Sequence, residues 1–420
     1  MSTAIIPEVL EKAQRARGAA ARLAELTRAE KDRILLAMAD ALETNAPAIL
    51  EANARDVKNV QEKSGSAAPV DRLILNEKRI AAMAEALRAI AAFTDPIGEV
   101  LGGWRVPNGL EITKVRVPLG VVGFIYESRP NVTVDAAGLC LKSGNAILLR
   151  GGSDAIQSNL CLVKTLTEAG AKVGLPEGAI QLIETTDRAA VGQLITMDRY
   201  IDVLIPRGGH DLIQRTKREA TIPVIETGEG NCHVYVDASA DLDQAEPLIV
   251  NAKCQRPTVC NAAETLLVHQ DIAAEFLPRI GRALTAQGVE LRACDRSLPY
   301  IEGARPATEE DWYKEYLALI MAVKVVDGVE DAITHISTYG TKHSEAILTR
   351  DLEAAQRFTH AVDAAVVYVN ASTRFTDGGE FGLGAEIGIS NQKLHARGPM
   401  GLAELTSYKY VVVGQGHVRG

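Results

Sequence analysis

Closely spaced cysteine pairs are missing from this sequence, and their absence excludes two common architectures. Its six cysteines stand apart in apolar segments, without a C-x-x-C pair. Clustered cysteines would indicate a structural zinc site, and a dense set of them would indicate a disulfide framework. We therefore expect reduced cysteines and no metal centre.

A surplus of positive charge and a long apolar run are missing as well. The 420 residues contain 45 Lys and Arg against 54 Asp and Glu, a formal net charge of -9. Nucleic acid and anionic membranes both attract proteins rich in Lys and Arg, so we expect neither as a partner. No run is long enough to span a bilayer, and charged residues interrupt the first 18 positions. The protein is therefore expected to be cytoplasmic.

Helical and hairpin patterns fill the first 117 residues. Apolar residues recur at steps of three and four on both sides of a capping box formed by Thr27 and Glu30. In 104–117, two alternating runs flank Asn108-Gly109, a pair that tolerates a tight turn, and a β-hairpin is predicted. Two strands are marginal alone, so segment 408–413 is expected to add a third, from the same or another subunit.

From residue 119 the pattern changes to apolar strands that alternate with helices. The predicted strands are 120–126, 145–150, 179–183, 201–206 and 223–226. Such alternation indicates an α/β fold with a parallel, doubly wound sheet, whose ligands bind at the carboxyl ends of its strands. After residue 241 a second α/β unit is predicted, and the glycine-rich link 370–401 is long enough to line a site or an interface.

Two glycine pairs lie at predicted strand ends. The segments Arg150-Gly151-Gly152-Ser153 and Arg207-Gly208-Gly209-His210 each follow a strand and lead into a helix. Free backbone amides at a helix start suit a phosphate or pyrophosphate. Either pair alone is a weak signal, because turns use glycine anyway and no G-x-G-x-x-G fingerprint is present.

The stretch 251–265 combines two thiols with two cations. Cys260 immediately precedes an apolar strand pattern, whereas Cys254 lies six residues earlier on the more regular side. A thiol among fixed positive charges, here Lys253 and Arg256, is poised to become a nucleophilic thiolate. From chemistry alone, two small buried apolar side chains are an equal alternative.

Three further segments contain motifs that match one known family in the same order along the chain. They are Glu127-Ser-Arg-Pro-Asn131, Gly228-Glu-Gly-Asn-Cys-His-Val-Tyr-Val-Asp237, and the stretch 380–399 with Phe-Gly-Leu-Gly-Ala-Glu and Gln-Lys-Leu-His-Ala-Arg-Gly-Pro. Together with the cysteine stretch, these motifs resemble the aldehyde dehydrogenase superfamily, and most closely its acyl phosphate branch. The resemblance covers nearly the whole chain.

The resemblance implies an organisation and an activity. It implies an aldehyde dehydrogenase-like α/β fold with an NADP-binding domain (1–103 and 118–240), a catalytic domain (241–385) and an oligomerisation arm (104–117 and 400–420). The implied reaction is the NADPH-dependent reduction of L-glutamate 5-phosphate to L-glutamate 5-semialdehyde and phosphate, through a cysteine thioester, in proline biosynthesis. A homo-oligomer is implied too, with glutamate 5-kinase as a candidate transient partner.

Carried over residue by residue, the resemblance makes Cys260 the nucleophile. Asn131 would stabilise the oxyanion together with the Cys260 amide. Glu315 is implied at the nicotinamide ribose, and Arg150 at the adenosine ribose, where it would favour NADPH. The other residues expected to bind the cofactor are Gly151, Ser153, Gly208 and Gly209.

Three cations are candidates for the phosphate and carboxylates of the substrate. Arg129, Lys253 and Arg256 flank the oxyanion and nucleophile stretches. The alternative for each is an ordinary solvated or ion-paired charge. A further departure concerns Glu226: the Glu-Leu-Gly-Gly motif, which holds the water-activating base of oxidising members, is Glu226-Thr-Gly-Glu-Gly230 here, so that role stays open.

Two other hypotheses stay open. An NAD(P)-dependent aldehyde oxidiser would favour a competent Glu226 and an aromatic substrate tunnel, for which six Phe and two Trp are few. A non-enzymatic protein with an exposed redox cysteine would leave the cofactor segments unexplained.

Overall fold

The computed structural model describes residues 6–64, 72–127 and 129–419, which form two compact units. Unit 1 comprises Met1–Glu226, Gly382–Gly388 and Met400–Gly420, and unit 2 comprises Thr227–Phe381 and Ile389–Pro399. Each unit contains a parallel sheet with helices between its strands. The predicted α/β fold class is therefore confirmed.

Long helices open unit 1. They are α1 (Pro7–Leu23), α2 (Arg28–Thr44), α3 (Ala46–Ser64) and α4 (Glu77–Ala92). The predicted capping box is confirmed, because the Thr27 amide donates to Glu30 Oε2 at 2.8 Å and the Glu30 amide donates to Thr27 Oγ1 at 3.4 Å. Ile34 and Met38, one turn apart on α2, are fully buried, so this face packs into the core.

A three-stranded antiparallel sheet also belongs to unit 1. The predicted hairpin is present as β1 (Val100–Arg105) and β2 (Glu111–Pro118), with Gly109 at a φ of 94° in its turn. The third strand, β16 (Thr406–Val413), pairs with β2 along its whole length. It therefore comes from the same chain.

The parallel sheet of unit 1 has the order β5-β4-β3-β6. Its strands are β3 (Val121–Tyr126), β4 (Ala146–Arg150), β5 (Ile180–Leu182) and β6 (Val203–Arg207). The helices between and after them are α5 (Pro130–Lys142), α6 (Ile156–Ala171), α7 (Ala189–Leu194) and α8 (His210–Glu219). The predicted strand 223–226 is reduced to a single bridge between Leu204 and Val224, because Pro223 has no N–H to donate.

Unit 2 is built on a seven-stranded parallel sheet with the order β10-β9-β11-β8-β7-β12-β13. Its strands are β7 (Cys232–Val236), β8 (Ala263–His269), β9 (Glu290–Ala293), β10 (Arg305–Pro306), β11 (Ile320–Val326), β12 (Ser344–Leu348) and β13 (Val366–Val369). Its helices are α9 (Leu242–Cys254), α10 (Gln270–Ala286), α11 (Glu309–Tyr313), α12 (Val329–Tyr339) and α13 (Leu352–Ala361). Two short strands, β14 (Ile389–Ser390) and β15 (Gly398–Pro399), pair with each other.

Apolar residues cover both faces of the unit 2 sheet. Val234 and Tyr235, neighbours on β7, belong to two different buried clusters. Phe276 of α10 packs in the first cluster, and Phe358 of α13 in the second. Strands buried on both faces explain the continuous apolar runs of the sequence.

The division between the units lies earlier than the predicted domain boundary at 240 and 241. Strand β7 pairs with β8 and β12, so residues from Thr227 onward belong to unit 2. The segment 389–399 also belongs to unit 2, beyond the predicted end at 385. The assignment of one unit to the cofactor and the other to catalysis stays a prediction.

Membrane-spanning helices and metal-binding clusters are both absent from the part of the chain that the structure describes. Among the residues that the structure describes, no helix is both long and apolar enough to cross a membrane. Within the same part of the chain, no group of three or more His, Cys, Asp or Glu side chains is arranged to hold a metal ion.

Candidate active site

Cys260 lies in the loop between α9 and β8, at the edge of the unit 2 sheet where the parallel strands begin. Cys260 and Cys254 are both partly exposed. Cys254 is the last residue of α9, and burial raises the pKa of its thiol, although Lys253 opposes that shift. A raised pKa disfavours the thiolate. The assignment of Cys260 rather than Cys254 as the nucleophile stays a prediction.

The backbone of Cys260 is held from one side by the segment before β7. Gly230 lies so close that a Cβ on it would stand 1.4 Å from the Cys260 carbonyl oxygen. The thiol of Cys232, two residues further on, donates to the same carbonyl oxygen at 3.2 Å. The Gly230 amide in turn donates to Glu315 Oε1 at 2.8 Å. Only a residue without a side chain fits at position 230.

The segment 373–376 holds the same loop from the other side. Asn261 Nδ2 donates to the Thr376 carbonyl at 2.8 Å, and Thr373 Oγ1 donates to the Asn261 carbonyl at 2.7 Å. The Arg374 guanidinium donates from Nη1 to Asn261 Oδ1 and from Nε to Gln255 Oε1, the latter at 2.9 Å. Both ends of the Cys260 loop are therefore anchored.

The structure does not support a substrate-binding role for Lys253. Its ammonium is fully buried and forms an ion pair with the equally buried Glu264, at 2.5 Å. Burial lowers the pKa of Lys253 and raises that of Glu264 to about 7, and each partner opposes the shift of the other. Lys253 therefore matches the alternative of an ordinary ion-paired charge rather than a substrate ligand. The neighbouring Arg256, by contrast, is exposed.

Glu315 has a structural contact that the sequence did not predict. Its carboxylate accepts the Gly230 amide, and burial raises its pKa. A carboxylate that fixes Gly230 also fixes the segment that touches the Cys260 backbone. The expected contact with the nicotinamide ribose stays a prediction.

Arg129 and Asn131 lie at the start of α5 in unit 1. Arg129 is the half-buried residue that precedes the helix. Asn131 is exposed, and its amide nitrogen donates to Asp135 Oδ2 at 3.3 Å. Burial raises the pKa of Asp135 to about 6, against the lowering effects of Arg207 and Asn131. The substrate and oxyanion roles stay predictions.

The turn at Gly208 and Gly209 accommodates an anionic oxygen. The Gly209 amide, at the start of α8, donates to Glu127 Oε1 at 2.7 Å. A Cβ on Gly208 would lie 2.8 Å from the same carboxylate, so glycine permits the close approach. Binding of the dinucleotide pyrophosphate at this turn, which would have to displace the Glu127 carboxylate, stays a prediction.

The other predicted cofactor turn is packed more tightly. Gly151 is buried, and a Cβ there would stand 2.3 Å from Asn159 Nδ2, whereas Ser153 is exposed. Arg150 is also buried, and its guanidinium donates to the Gly151 and Thr186 carbonyls. The guanidinium of Arg150 is thus engaged by backbone carbonyls, whereas the resemblance implied a contact with the adenosine ribose.

Arg150→Ala is therefore expected to raise the Michaelis constants for NADPH and for NADH to the same extent. The guanidinium ties two backbone segments together, and its loss should lower the thermal unfolding midpoint. Arg188 is the matched comparison, because it is an exposed arginine close to Arg150. Burial is the main cause that lowers the pKa of Arg150, and the positive charge of Arg188 is the second. Arg188→Ala removes an exposed charge and should leave the unfolding midpoint unchanged. A selective loss of NADPH in Arg150→Ala would restore the original prediction.

Sequence reasoning missed three residues of this site: Gly230, Cys232 and Arg374. The first two lie within a motif that the sequence singled out, but only β-strand pairing shows that β7 lies beside β8. Arg374 lies in the long link that was expected to line a site. Nothing local to it indicates contact with residues 255 and 261.

The chain is similar to known proteins in sequence. The sequence model of the aldehyde dehydrogenase family matches residues 3–293. Gamma-glutamyl phosphate reductase of Heliobacterium modesticaldum is 59% identical over 415 residues, which cover 99% of this chain and 100% of the relative. The enzyme of the same name from Moorella thermoacetica is 60% identical over 412 residues, covering 98% and 99%.

A solved structure is similar as well. The crystal structure of gamma-glutamyl phosphate reductase from Thermotoga maritima has a TM-score of 0.96 and 52% identity, covering 98% of this chain and 100% of that one. The yeast enzyme of that name, from Saccharomyces cerevisiae, is 30% identical with a TM-score of 0.55, covering 99% and 100%. The chain therefore belongs to the aldehyde dehydrogenase family and, within it, to the gamma-glutamyl phosphate reductases.

Proposed function

We propose that the protein reduces L-glutamate 5-phosphate to L-glutamate 5-semialdehyde and phosphate with NADPH, in proline biosynthesis. The observation that carries the proposal is the partly exposed thiol of Cys260 on a loop anchored at both ends. The names of the relatives, at nearly 60% identity over the whole chain, supply the substrate.

The chemistry follows from the thiol. The Cys260 thiolate attacks the acyl phosphate carbon, the bond to the phosphate oxygen breaks, and a thioester forms on the sulfur. Membership of the family implies a nicotinamide cofactor, which supplies a hydride when bound. The resulting tetrahedral adduct on Cys260 then breaks its C–S bond and releases the aldehyde. Because phosphate is a good leaving group, no activated water is needed.

A spectrophotometric assay distinguishes this function from its rivals. The reverse reaction is followed at 340 nm with NADP⁺, glutamate semialdehyde and inorganic phosphate. We expect reduction of NADP⁺ only with phosphate present. Reduction without phosphate would identify an aldehyde oxidiser, and no turnover would favour a non-enzymatic role.

Glu226→Gln is expected to keep reductive turnover within about tenfold, a barrier change of about 1.4 kcal/mol. Glu226 forms an ion pair with Lys217 at 2.9 Å, and the proposed reduction needs no base to activate water. Lys217→Gln, which removes the same ion pair from the other side, is the matched control. A loss of a thousandfold confined to Glu226→Gln would show an acid or base role.

The arm formed by β1, β2 and β16 is proposed to join subunits of a homo-oligomer. Trp104, Tyr410 and Val413 are each about half exposed on it, at 49%, 54% and 58%. Apolar strands at the edge of a sheet favour pairing with another chain. Sedimentation equilibrium should give a mass above 45.0 kDa, and a monomer would contradict the proposal.

The cytoplasmic location and the kinase partner also stay proposals, which cell fractionation and co-purification would test.

A further inference from the structure

Arg374 reaches across both ends of the Cys260 loop. It lies in the single helical turn Thr373–Phe375, and the preceding Ser372 accepts its backbone amide. Through its bonds to Gln255 and Asn261, the guanidinium spans residues 256–260. The positive charge is thereby fixed beside the nucleophile.

The charge of Arg374 has neutral partners. Two of the five N–H donors of a guanidinium go to the side-chain amide oxygens of Gln255 and Asn261. Within the described residues, neither Arg374 nor the exposed Arg256 forms an ion pair with a carboxylate. Arg350 in the same unit, by contrast, pairs with Asp241.

The electrostatic surroundings of Arg374 show the same excess of positive charge. Burial is the main cause that lowers the pKa of Arg374, and the positive charge of Arg256 is the second. Asp377, Cys260 and Cys232 oppose this shift. The Asp377 carboxylate also accepts hydrogen bonds from the backbone amides of Gly379 and Glu380, at 2.8 and 3.3 Å. Two neighbouring arginines, neither of them ion-paired with a carboxylate among the described residues, form a favourable place for an anion with two charges.

We propose that Arg374 and Arg256 bind the phosphate group of the substrate beside Cys260, an inference that rests on the proposed function. A guanidinium binds phosphate through two parallel hydrogen bonds and stays charged at every physiological pH. As the thiolate attacks, negative charge grows on the departing phosphate, and the fixed cations stabilise it. In the reverse direction the same pair binds inorganic phosphate.

The test measures inorganic phosphate itself. The variants are Arg374→Gln and Arg256→Gln, and the matched control is Arg350→Gln, an exposed arginine that follows β12 at the opposite edge of the sheet. In the reverse assay, each of the first two should raise the Michaelis constant for phosphate about ten- to a hundredfold, the effect of losing a hydrogen bond to a charged group. The constant for glutamate semialdehyde should change by less than about threefold in the same variants, because the two arginines are assigned to phosphate alone. Arg350→Gln should leave both constants unchanged.

A binding measurement makes the result independent of turnover. Iodoacetamide alkylation of Cys260, followed by peptide mass spectrometry, should be slowed by phosphate in the wild type and in Arg350→Gln, but not in the two variants. A fall in turnover with unchanged phosphate constants and intact protection would show that Arg374 only positions the loop, and would overturn the proposal. If Arg374→Gln fails to fold, the exposed Arg256→Gln decides in the same way. A wild type without phosphate-dependent turnover would refute the proposed function, while protection by phosphate still decides the site.

Discussion

Replacement of Cys260 by alanine is expected to reduce turnover to background, whereas replacement of Cys254 should keep most of it. The proposed thioester needs a thiol where the substrate can reach it, and Cys260 is partly exposed on an anchored loop. Cys254 ends a helix, and burial raises the pKa of its thiol. Steady-state rates at 340 nm measure both variants.

The comparison also contains its own control for folding. Both substitutions remove one sulfur atom from the same unit, so similar unfolding midpoints should accompany very different rates. A covalent thioester, trapped by acid quenching and seen by mass spectrometry, should appear on the peptide with Cys260 in the wild type. Equal losses of rate in both variants would contradict the assignment.

Gly230→Ala is expected to lower turnover by about a hundredfold or more. The added Cβ would lie 1.4 Å from the Cys260 carbonyl oxygen and 2.9 Å from its Cα, far inside contact distance. The nucleophile loop or the segment before β7 must therefore move. A displacement of about 1 Å at reacting atoms costs on the order of a hundredfold in rate.

Gly328→Ala is the matched control for this substitution. Gly328 lies in the same unit with extended backbone, and a Cβ there would meet only His269, at 3.7 Å or more. It should keep activity within about twofold, as expected for a site without a steric conflict. Rates and unfolding midpoints of the two variants decide between a local and a global effect. Near wild-type turnover in Gly230→Ala would show that the loop adapts without cost.

The elements of this fold were predictable where the signal is local. The capping box of Thr27, the Asn108-Gly109 turn and the strand before Arg150 follow from neighbouring residues, and all are present. The pairing of β16 with β2 was predicted from the need of a hairpin for a third strand. Whether that strand came from the same chain was open, because sequence patterns do not distinguish subunits.

The candidate site was predictable only in part, because charge alone does not reveal burial. Lys253 and Arg256 look alike in the sequence, yet one is buried against Glu264 and the other is exposed. Arg150 ends its strand as predicted, but its guanidinium donates a hydrogen bond to the carbonyl of Thr186, 36 residues away. The proposed role of Arg374 depends on its contacts with Asn261 and Gln255, which lie 113 and 119 positions earlier in the chain. These pairings exist only after the chain has folded.

The buried pair of Lys253 and Glu264 constrains how this sequence can change over evolution. Loss of either partner leaves an unpaired charge in a dry interior, which costs about 3–5 kcal/mol, whereas replacing both by apolar residues is often neutral. A lineage can therefore reach an apolar pair mainly through two changes that arrive together. Because both residues flank the Cys260 loop in the chain, the intermediate sequences would lose stability close to their nucleophile.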